Sequence, residues 1–362
     1  MYKSHLSSFF LLLLAEGFFG NRFQINLIKE LSSKQLPHNF VISPFAIHQA
    51  LALLYLDKDI RKDYQLAKAL QFTGRRSAKI VNFFGKARWK ANRQHFVMAN
   101  RIYFSPDYNV SENTQKINKD LGVDVEHMNF SDGQKSGDEI KKWLSKTIEK
   151  ASQNIFDKND LSNATQLVAL QGMSMSCLWK HRAKSLTKQS FSIARPNKTP
   201  YIIRVDMMYT KAPFEFFNDD EVRGVMIPFS RTDIGMLVLI PRRQGTQKVL
   251  QNLDKYLQIK MRKAEETHVF LPLFTVQETM DLNAVLKAVG IKNIFNNVGD
   301  ESHADAANFK QFNFLEVKPN RVLIKADVGS DNDQRVVKVN QAFVFVIKDQ
   351  SNIYMVGRME NI

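Results

Sequence analysis

The residues best suited to chemistry in this sequence form a basic cluster between positions 75 and 93. Its members are Arg75, Arg76, Lys79, Lys86, Arg88, Lys90 and Arg93. At 100° per residue, a narrow arc of one helix would hold Arg75, Lys79, Lys86 and Lys90. Such a stripe predicts a salt-sensitive contact with sulfated sugar or another polyanion. The alternative is a solvated helix face on a chain whose net charge is +15.

Catalytic and metal-binding motifs are absent from the sequence. It contains no G-x-S-x-G, no H-E-x-x-H, no phosphate-binding loop and no paired cysteine ligands. The eight histidines are scattered, at positions 5, 38, 48, 95, 127, 181, 268 and 303. We therefore predict that the protein is not an enzyme and that it has no metal or cofactor.

The N-terminus has the pattern of a secretory signal peptide. Lys3 supplies a positive charge, and Leu6–Leu14 is apolar apart from two serines. Ala15 and Gly17 are small residues at the positions that a signal peptidase recognises. The apolar run is too short to span a bilayer. We predict a signal peptide at residues 1–17 and a secreted, extracellular protein.

Four N-glycosylation sequons agree with secretion. They begin at Asn109, Asn129, Asn163 and Asn197. Each could also be a chance three-residue pattern, because glycosylation requires an exposed loop. Cys177 is the only cysteine, so no internal disulfide can form. A buried thiol is expected.

Helices and strands are interspersed along the chain, and they must position the candidate functional residues. Ser43 and Pro44 are typical of a helix start, and apolar residues follow at i, i+3, i+4 and i+7 from Ile47. A second helix is predicted over 139–148, and a third over 281–289, closed by Gly290. Strands are predicted over 166–175, 222–229, 235–240, 342–347 and 353–356. Without repeats or linkers, this order indicates one α+β domain.

Short segments spread along the chain resemble, in order, those of the serpin family. They include N-x-x-x-S-P at 39–44, A-N at 99–100, the strand leading to Trp179, V-M-I-P-F at 225–229, L-P-L-F at 271–274 and the closing segments at 343–345 and 355–361. The resemblance implies a serpin fold over residues 18–362, with a mixed main β-sheet, smaller sheets and surrounding helices. The pattern is most similar to insect serpins, and an accessory-gland (seminal-fluid) member is one hypothesis.

This resemblance implies protease inhibition through a bait loop. In inhibitory serpins a protease cleaves the exposed loop, and the N-terminal part of the loop then inserts as a new strand into the main sheet. Aligning 325–328 with the end of the preceding strand leaves only ten residues, 329–338, for that loop. Ten extended residues span at most about 35 Å. The reactive-centre loop is therefore predicted to be too short for suicide inhibition.

The composition of this loop supports the same interpretation. Inhibitory members carry glycine and alanine-like residues, which fit a sheet interior. Here the degenerate loop region reads Gly329, Ser330, Asp331, Asn332, Asp333, Gln334 and Arg335. Charged and amide side chains are costly to bury in a sheet without partners.

A buried polar cluster controls sheet opening in the family, and it also differs here. Its first serine is kept as Ser43. The other positions read Ala46, Gln171 and Ile324, where the family has a serine, an asparagine and a histidine. We expect a network that has lost two polar members, with ordinary sequence drift as the alternative explanation.

The predicted function is that of a secreted, non-inhibitory binding protein with a serpin fold. Its partner would be a sulfated polysaccharide or other extracellular polyanion, a receptor, or another secreted protein. The resemblance places a heparin-like site on the helix that carries the basic cluster. Neither nucleic acid nor a membrane is expected as a partner. The alternative is a serine-type endopeptidase inhibitor, whose partner would be a serine protease.

Overall fold

The computed structural model describes residues 22–34, 39–57, 64–151, 154–157, 159–195, 198–296, 306–320 and 335–362, with the backbone alone at 263 and 264. The predicted signal peptide, Asn197, Ile324 and the residues from Gly329 to Gln334 lie outside these ranges. No helix in the described ranges is both long and apolar enough to cross a membrane.

Nine α-helices are present in the described part of the chain. They are α1 (22–32), α2 (Pro44–Leu56), α3 (Tyr64–Ala69), α4 (Ser77–Arg93), α5 (Glu112–Leu121), α6 (Gly133–Thr147), α7 (Thr246–Gln251), α8 (Leu253–Gln258) and α9 (Asn283–Ala288). One 3₁₀ turn covers Asn293–Phe295.

Helix α2 is the central helix of the fold. Its start is fixed by the Ser43 hydroxyl, which accepts a hydrogen bond from the Ala46 backbone N–H at 3.2 Å, and by Pro44 at the first helical position. The side chains of this helix are apolar on nearly all of its sides and almost all of them are buried, so it is a core helix rather than an amphipathic one. It contacts strands of both sheets described below.

The first sheet has five strands in the order β10-β11-β4-β2-β3. Their bounds are β2 (Val97–Phe104), β3 (Asp124–His127), β4 (Leu167–Ser176), β10 (Phe274–Asp281) and β11 (Ala307–Val317). The central pair, β11 and β4, is parallel, while β10 and β2 run antiparallel to their central neighbours. The sheet is therefore mixed.

The second sheet contains nine strands among the described residues, in the order β1-β14-β13-β8-β7-β6-β9-β12, with β5 also paired to β6. The bounds are β1 (Phe40–Ile42), β5 (Ser185–Arg195), β6 (Lys198–Asn218), β7 (Val222–Pro228), β8 (Gly235–Pro241), β9 (Arg262–Pro272), β12 (Val336–Lys338), β13 (Phe343–Lys348) and β14 (Ile353–Met359).

Helix α6 covers the outer face of the five-stranded sheet. Its Leu144, with Ile148 just beyond the helix, packs directly onto the backbone of Gly172 in β4. A Cβ atom at position 172 would lie 2.8 Å from Leu144 Cδ1 and 2.7 Å from Ile148 Cδ1. A larger residue there would force the Leu144 and Ile148 side chains to move, and the central strand is buried on both faces.

The α+β class and the serpin-like architecture expected from the sequence are confirmed. The strands predicted over 166–175, 235–240 and 342–347 correspond to β4, β8 and β13 within one or two residues. The helix predicted over 281–289 is shorter, at Asn283–Ala288, and the chain leaves it through Gly290 at a φ of +96°.

Candidate functional site

A buried polar cluster lies where α2 meets the seam between β4 and β11. The Gln311 side chain forms a paired contact with the backbone of Ser43: its oxygen accepts from Ser43 N–H at 2.8 Å, and its nitrogen donates to Ser43 carbonyl at 3.0 Å. The Ser43 hydroxyl donates to the Tyr354 carbonyl at 2.7 Å. This arrangement ties α2, β11 and β14 together.

Further amides extend the cluster across the sheet. Asn313 donates to the Gln311 side-chain oxygen at 2.7 Å. Asn100 of β2 donates to the Ala46 carbonyl at 3.1 Å and to the Gln49 side chain at 3.2 Å.

Gln171 lies directly opposite Gln311 in the β4–β11 register and is buried. Neither polar atom of its side chain has a hydrogen-bond partner among the described residues. An unsatisfied buried amide costs about 1 to 3 kcal/mol, so the middle of the seam is under-bonded.

The prediction that Ile324 takes the place of the family's histidine in this cluster is wrong. Gln311 is the residue whose side chain contacts Ser43, and Ile324 lies outside the described residues. The expected loss of two polar members is therefore also wrong, because only the Ala46 position is apolar. Both 312–317 and 322–328 have apolar patterns typical of a strand, and the parallel pairing of β11 with β4 selects the earlier one.

The connection between the two sheets is longer than the sequence alignment indicated. Strand β11 ends at Val317 and β12 begins at Val336, so residues 318–335 join them, eighteen in all. The strand that pairs with β4 before this connection is 307–317 and not 325–328, so the ten-residue connection predicted from the sequence is wrong. Most of the degenerate loop region lies outside the described residues, and Arg335 is its one described member.

Both ends of this connection are held by hydrogen bonds. The Trp179 indole N–H donates to the Lys318 carbonyl at 2.8 Å. Asn320 makes two bonds to the backbone of Trp179, accepting from its N–H at 3.1 Å and donating to its carbonyl at 3.0 Å. At the far end, the Arg335 carbonyl accepts from His268 N–H at 2.9 Å. The Trp179 side chain is buried.

Comparison with known proteins agrees with this architecture. Residues 20–362 match the family model described as serpin (serine protease inhibitor). The chain belongs to the serpin family. This serpin is similar to chicken (Gallus gallus) neuroserpin, with 25% identity over 293 residues that cover 76% of this chain and 71% of that protein.

Solved structures show the same fold. Serpin48 of the insect Tenebrio molitor superposes with a TM-score of 0.79 at 22% identity, over 96% of this chain and 98% of its own. Native protease nexin-1, crystallised with heparin, superposes with a TM-score of 0.77 at 21% identity, over 96% of this chain and 100% of its own. At these identities the likeness establishes the fold and nothing further.

Five of the seven residues of the basic cluster lie on α4, with different surroundings. Arg75 and Arg76 precede the helix, which begins at Ser77, so the prediction that Arg75 shares a helical arc with Lys79 is wrong. Lys90 forms ion pairs with Asp233 at 2.8 Å and with the buried Asp349 at 2.9 Å. Burial opposes the charge of Lys90, but hydrogen bonds to both aspartates outweigh it and raise its pKa. Arg88 donates to the Lys119 carbonyl across Gly122. The charged groups of Lys90 and Arg88 are thus bound to other groups of the protein itself.

The exposed face of α4 is centred on a residue that the sequence interpretation missed. Five exposed side chains follow one another at intervals of three and four residues, and we call them the α4 stripe: Lys79, Asn82, Lys86, Trp89 and Arg93. The Trp89 side chain is 60% exposed, and the Arg93 guanidinium lies 5.0 Å from its ring centroid. Helical spacing from Lys86 could have found Trp89, although a tryptophan is usually assigned to the core.

The remaining predicted sites can be placed only in part. Asn109, Asn129 and Asn163 are exposed and lie outside helices and strands. Cys177 is buried, and burial together with the nearby Glu316 charge raises the pKa of its thiol. In the described part of the chain, no three His, Cys, Asp or Glu side chains are grouped to hold a metal ion.

Proposed function

We propose that this serpin is a secreted binding protein that does not inhibit proteases by strand insertion. The observation that carries the proposal is the sequence following β11. A strand inserted beside β11 would run antiparallel to it, so the ten residues after β11, 318–327, would supply the turn and most of a strand as long as β4. These residues read Lys-Pro-Asn-Arg-Val-Leu-Ile-Lys-Ala-Asp, with four charged side chains and a proline.

Such a strand would enter the most buried part of the sheet. It would run beside β11, between that strand and β4, with α2 under one face and α6 over the other. A charged side chain buried without a partner costs several kcal/mol. We therefore expect insertion to be unfavourable.

The composition of 318–327, rather than the length of the loop, is the basis of the proposal. Eighteen residues are enough to supply a ten-residue strand and a remaining bait segment. The bonds of Trp179 to Lys318 and Asn320 add a further barrier, because insertion would have to break them.

We predict that cleavage of the loop leaves the melting temperature of the wild-type protein unchanged. A protease that cuts after Asp331 or Asp333 leaves residues 318–327 whole, so a strand able to insert would do so. Without insertion, Tm measured by calorimetry should change by less than about 2 °C. With insertion, the new pairing and burial would raise Tm well beyond that.

A variant with small residues provides the matched control. Pro319→Ala, Arg321→Ala, Lys325→Ala and Asp327→Ala together remove the proline and three of the four charges. Cleavage of this variant should raise its Tm more than cleavage raises that of the wild type. An SDS-stable complex between the wild type and a trypsin- or chymotrypsin-like protease would contradict the proposal and favour the alternative, a serine protease inhibitor.

We further infer a polyanion contact at the α4 stripe. Lys79, Lys86 and Arg93 place three cationic side chains on one exposed face beside Trp89, whose ring offers a stacking surface. Protease nexin-1, a structural neighbour, was crystallised with heparin. Secretion and glycosylation at Asn109, Asn129 and Asn163 belong to the same proposal, and the exposure of these asparagines supports it.

Heparin chromatography tests the α4 stripe. Lys79→Ala, Lys86→Ala and Arg93→Ala together should lower the salt concentration at elution, because fewer counterions are exchanged. Lys90 is left unchanged because its charge stabilises the fold. The matched control removes three lysines of α6: Lys135→Ala, Lys142→Ala and Lys146→Ala. Equal shifts in both variants would mean that heparin responds to net charge alone.

A further inference from the structure

The hairpin of β5 and β6 extends past the point where β6 stops pairing with β9, and within this extension Ser192 of β5 pairs with Gln341 and donates its N–H to the Asn340 carbonyl. Residues Lys198–Asp206 of β6 pair with β5 alone among the described strands, because pairing with β9 begins at Met207 opposite Pro272. We call residues 188–195 and 198–206 the β5–β6 ribbon. Its far end is held by Arg195, whose Nε and Nη2 donate to the Thr199 carbonyl at 3.0 and 2.9 Å.

Two neighbouring apolar side chains of the ribbon are exposed. Tyr201 is 55% and Ile202 is 54% exposed, and as neighbours in a strand they project from opposite faces. The Arg195 guanidinium lies 5.8 Å from the Tyr201 ring centroid. A single exposed apolar residue is ordinary. An exposed tyrosine beside an arginine has the composition typical of protein-binding hot spots, and Ile202 adds exposed apolar area on the other face.

The charge of this region has one sign. Between Lys180 and Asp206 the chain carries seven lysine and arginine residues and one acidic residue. That acidic residue, Asp206, lies 3.9 Å from Lys188. Arg195, Lys198 and Arg204 are exposed, and none has an acidic partner within the described residues. Complementarity therefore requires an acidic partner.

The backbone edge of β6 is poorly suited to adding another strand. Pro200 lacks an N–H, and the long charged side chains of Lys198 and Arg204 flank it. These features protect the edge strands of natural sheets from pairing with other chains. A partner would therefore contact the side chains of the ribbon rather than extend its hydrogen-bond ladder.

We propose that the β5–β6 ribbon binds an acidic polypeptide segment that carries aromatic or aliphatic side chains among its carboxylates. On one face of β6 the carboxylates would contact Lys198 and Arg204, and an apolar side chain would pack on Ile202. On the other face the segment would contact Arg195 and Tyr201, so it would pass around the edge of the ribbon. The proposal rests on the binding role described above but concerns a site separate from the α4 stripe and independent of strand insertion.

The test compares two acidic polymers of equal length on the full protein at about 150 mM salt, where weak surface attraction is screened. One is poly-glutamate, and the other is a copolymer of glutamate and tyrosine. The copolymer should bind about tenfold more tightly, which corresponds to about 1.4 kcal/mol. Equal affinity for the two polymers would overturn the proposal.

Variants of the full protein assign the binding to the ribbon. Tyr201→Ser with Ile202→Ser should abolish the preference for the copolymer. Lys198→Glu with Arg204→Glu should weaken binding of both polymers and leaves the Arg195 contact with Thr199 in place. Lys142→Ala with Lys146→Ala, on the exposed face of α6, should change neither affinity. Lys86→Ala with Arg93→Ala should leave the preference for the copolymer in place, because a contact of the α4 stripe with carboxylates would be common to both polymers. If only the α4 substitutions reduce that preference, or if the ribbon substitutions affect heparin and neither polymer, the proposal is wrong.

These outcomes are separable from those of the proposed function. An SDS-stable protease complex would remove the non-inhibitory role without affecting the polymer comparison. If the wild-type protein bound both polymers equally well while the α4 substitutions still shifted heparin elution, the ribbon site alone would be disproved. The four substituted ribbon residues are exposed, so the Tm values of the ribbon variants should match that of the wild type. Matching values exclude misfolding as the cause of a change in polymer binding.

Discussion

Replacing Lys90 by alanine should lower the free energy of unfolding by about 2 to 3 kcal/mol. The Asp349 side chain is 1% exposed, and Lys90 is its cationic partner at 2.9 Å. Breaking a buried ion pair costs about 3 to 5 kcal/mol, because the remaining charge stays buried. We expect less because the Lys90 side chain is 29% exposed and water screens part of the interaction.

Other groups around Asp349 also limit the loss. Its carboxylate keeps a hydrogen bond from the Tyr354 hydroxyl at 3.1 Å and bonds from the backbone N–H groups of Ser351 and Asn352 at 2.7 and 2.8 Å. Urea unfolding provides the measurement. Lys86→Ala, four residues earlier on the exposed face, is the control and should change stability by less than about 0.5 kcal/mol. Equal effects of the two substitutions would mean that the Asp349 pair contributes nothing.

Acidification should destabilise the wild-type protein through His48. This histidine is buried in α2 among aromatic rings: the centroids of Phe23, Phe72 and Phe84 lie 4.7, 5.3 and 5.1 Å away. Burial lowers the pKa of His48 from 6.5 to about 3. Below pH 6.5 the unfolded chain therefore binds a proton that the folded chain does not.

The direction and the size of the change in stability follow from this difference in proton binding. Stability falls as the pH drops from about 6.5 towards 3, by about 1.4 kcal/mol per pH unit for one such group. At pH 4.5 the loss relative to pH 7 should be about 2 to 3 kcal/mol. His48→Phe keeps a ring against Phe72 but cannot titrate. Its stability should decline less between pH 7 and 4.5, and parallel curves for both proteins would contradict the prediction.

Much of the fold could be predicted because its signals are local. Ser43 and Pro44 mark the start of α2 through a cap that needs only the next three residues. The apolar run of β4 and the residues around Gly290 are likewise readable from neighbours along the chain. The ordered series of family-like segments then fixed the architecture.

The functional site could be predicted only in part. The basic residues of α4 were found from composition, but the sequence could not show that Lys90 pairs with Asp349, a residue 259 positions away. Nor could it choose between two strand-like stretches, 312–317 and 322–328. Pairing with β4 made that choice and brought Gln311 to Ser43, 268 positions earlier.

The sequence alone determined the fold family, the absence of catalytic motifs and the basic cluster at residues 75–93. The tertiary structure decided which polar groups meet at the seam, which α4 cations face solvent and where the loop begins. The physical reason is that helix caps and strand patterns depend on neighbouring residues. Burial, by contrast, depends on partners brought together from distant parts of the chain, where desolvation makes each unpaired charge or amide costly.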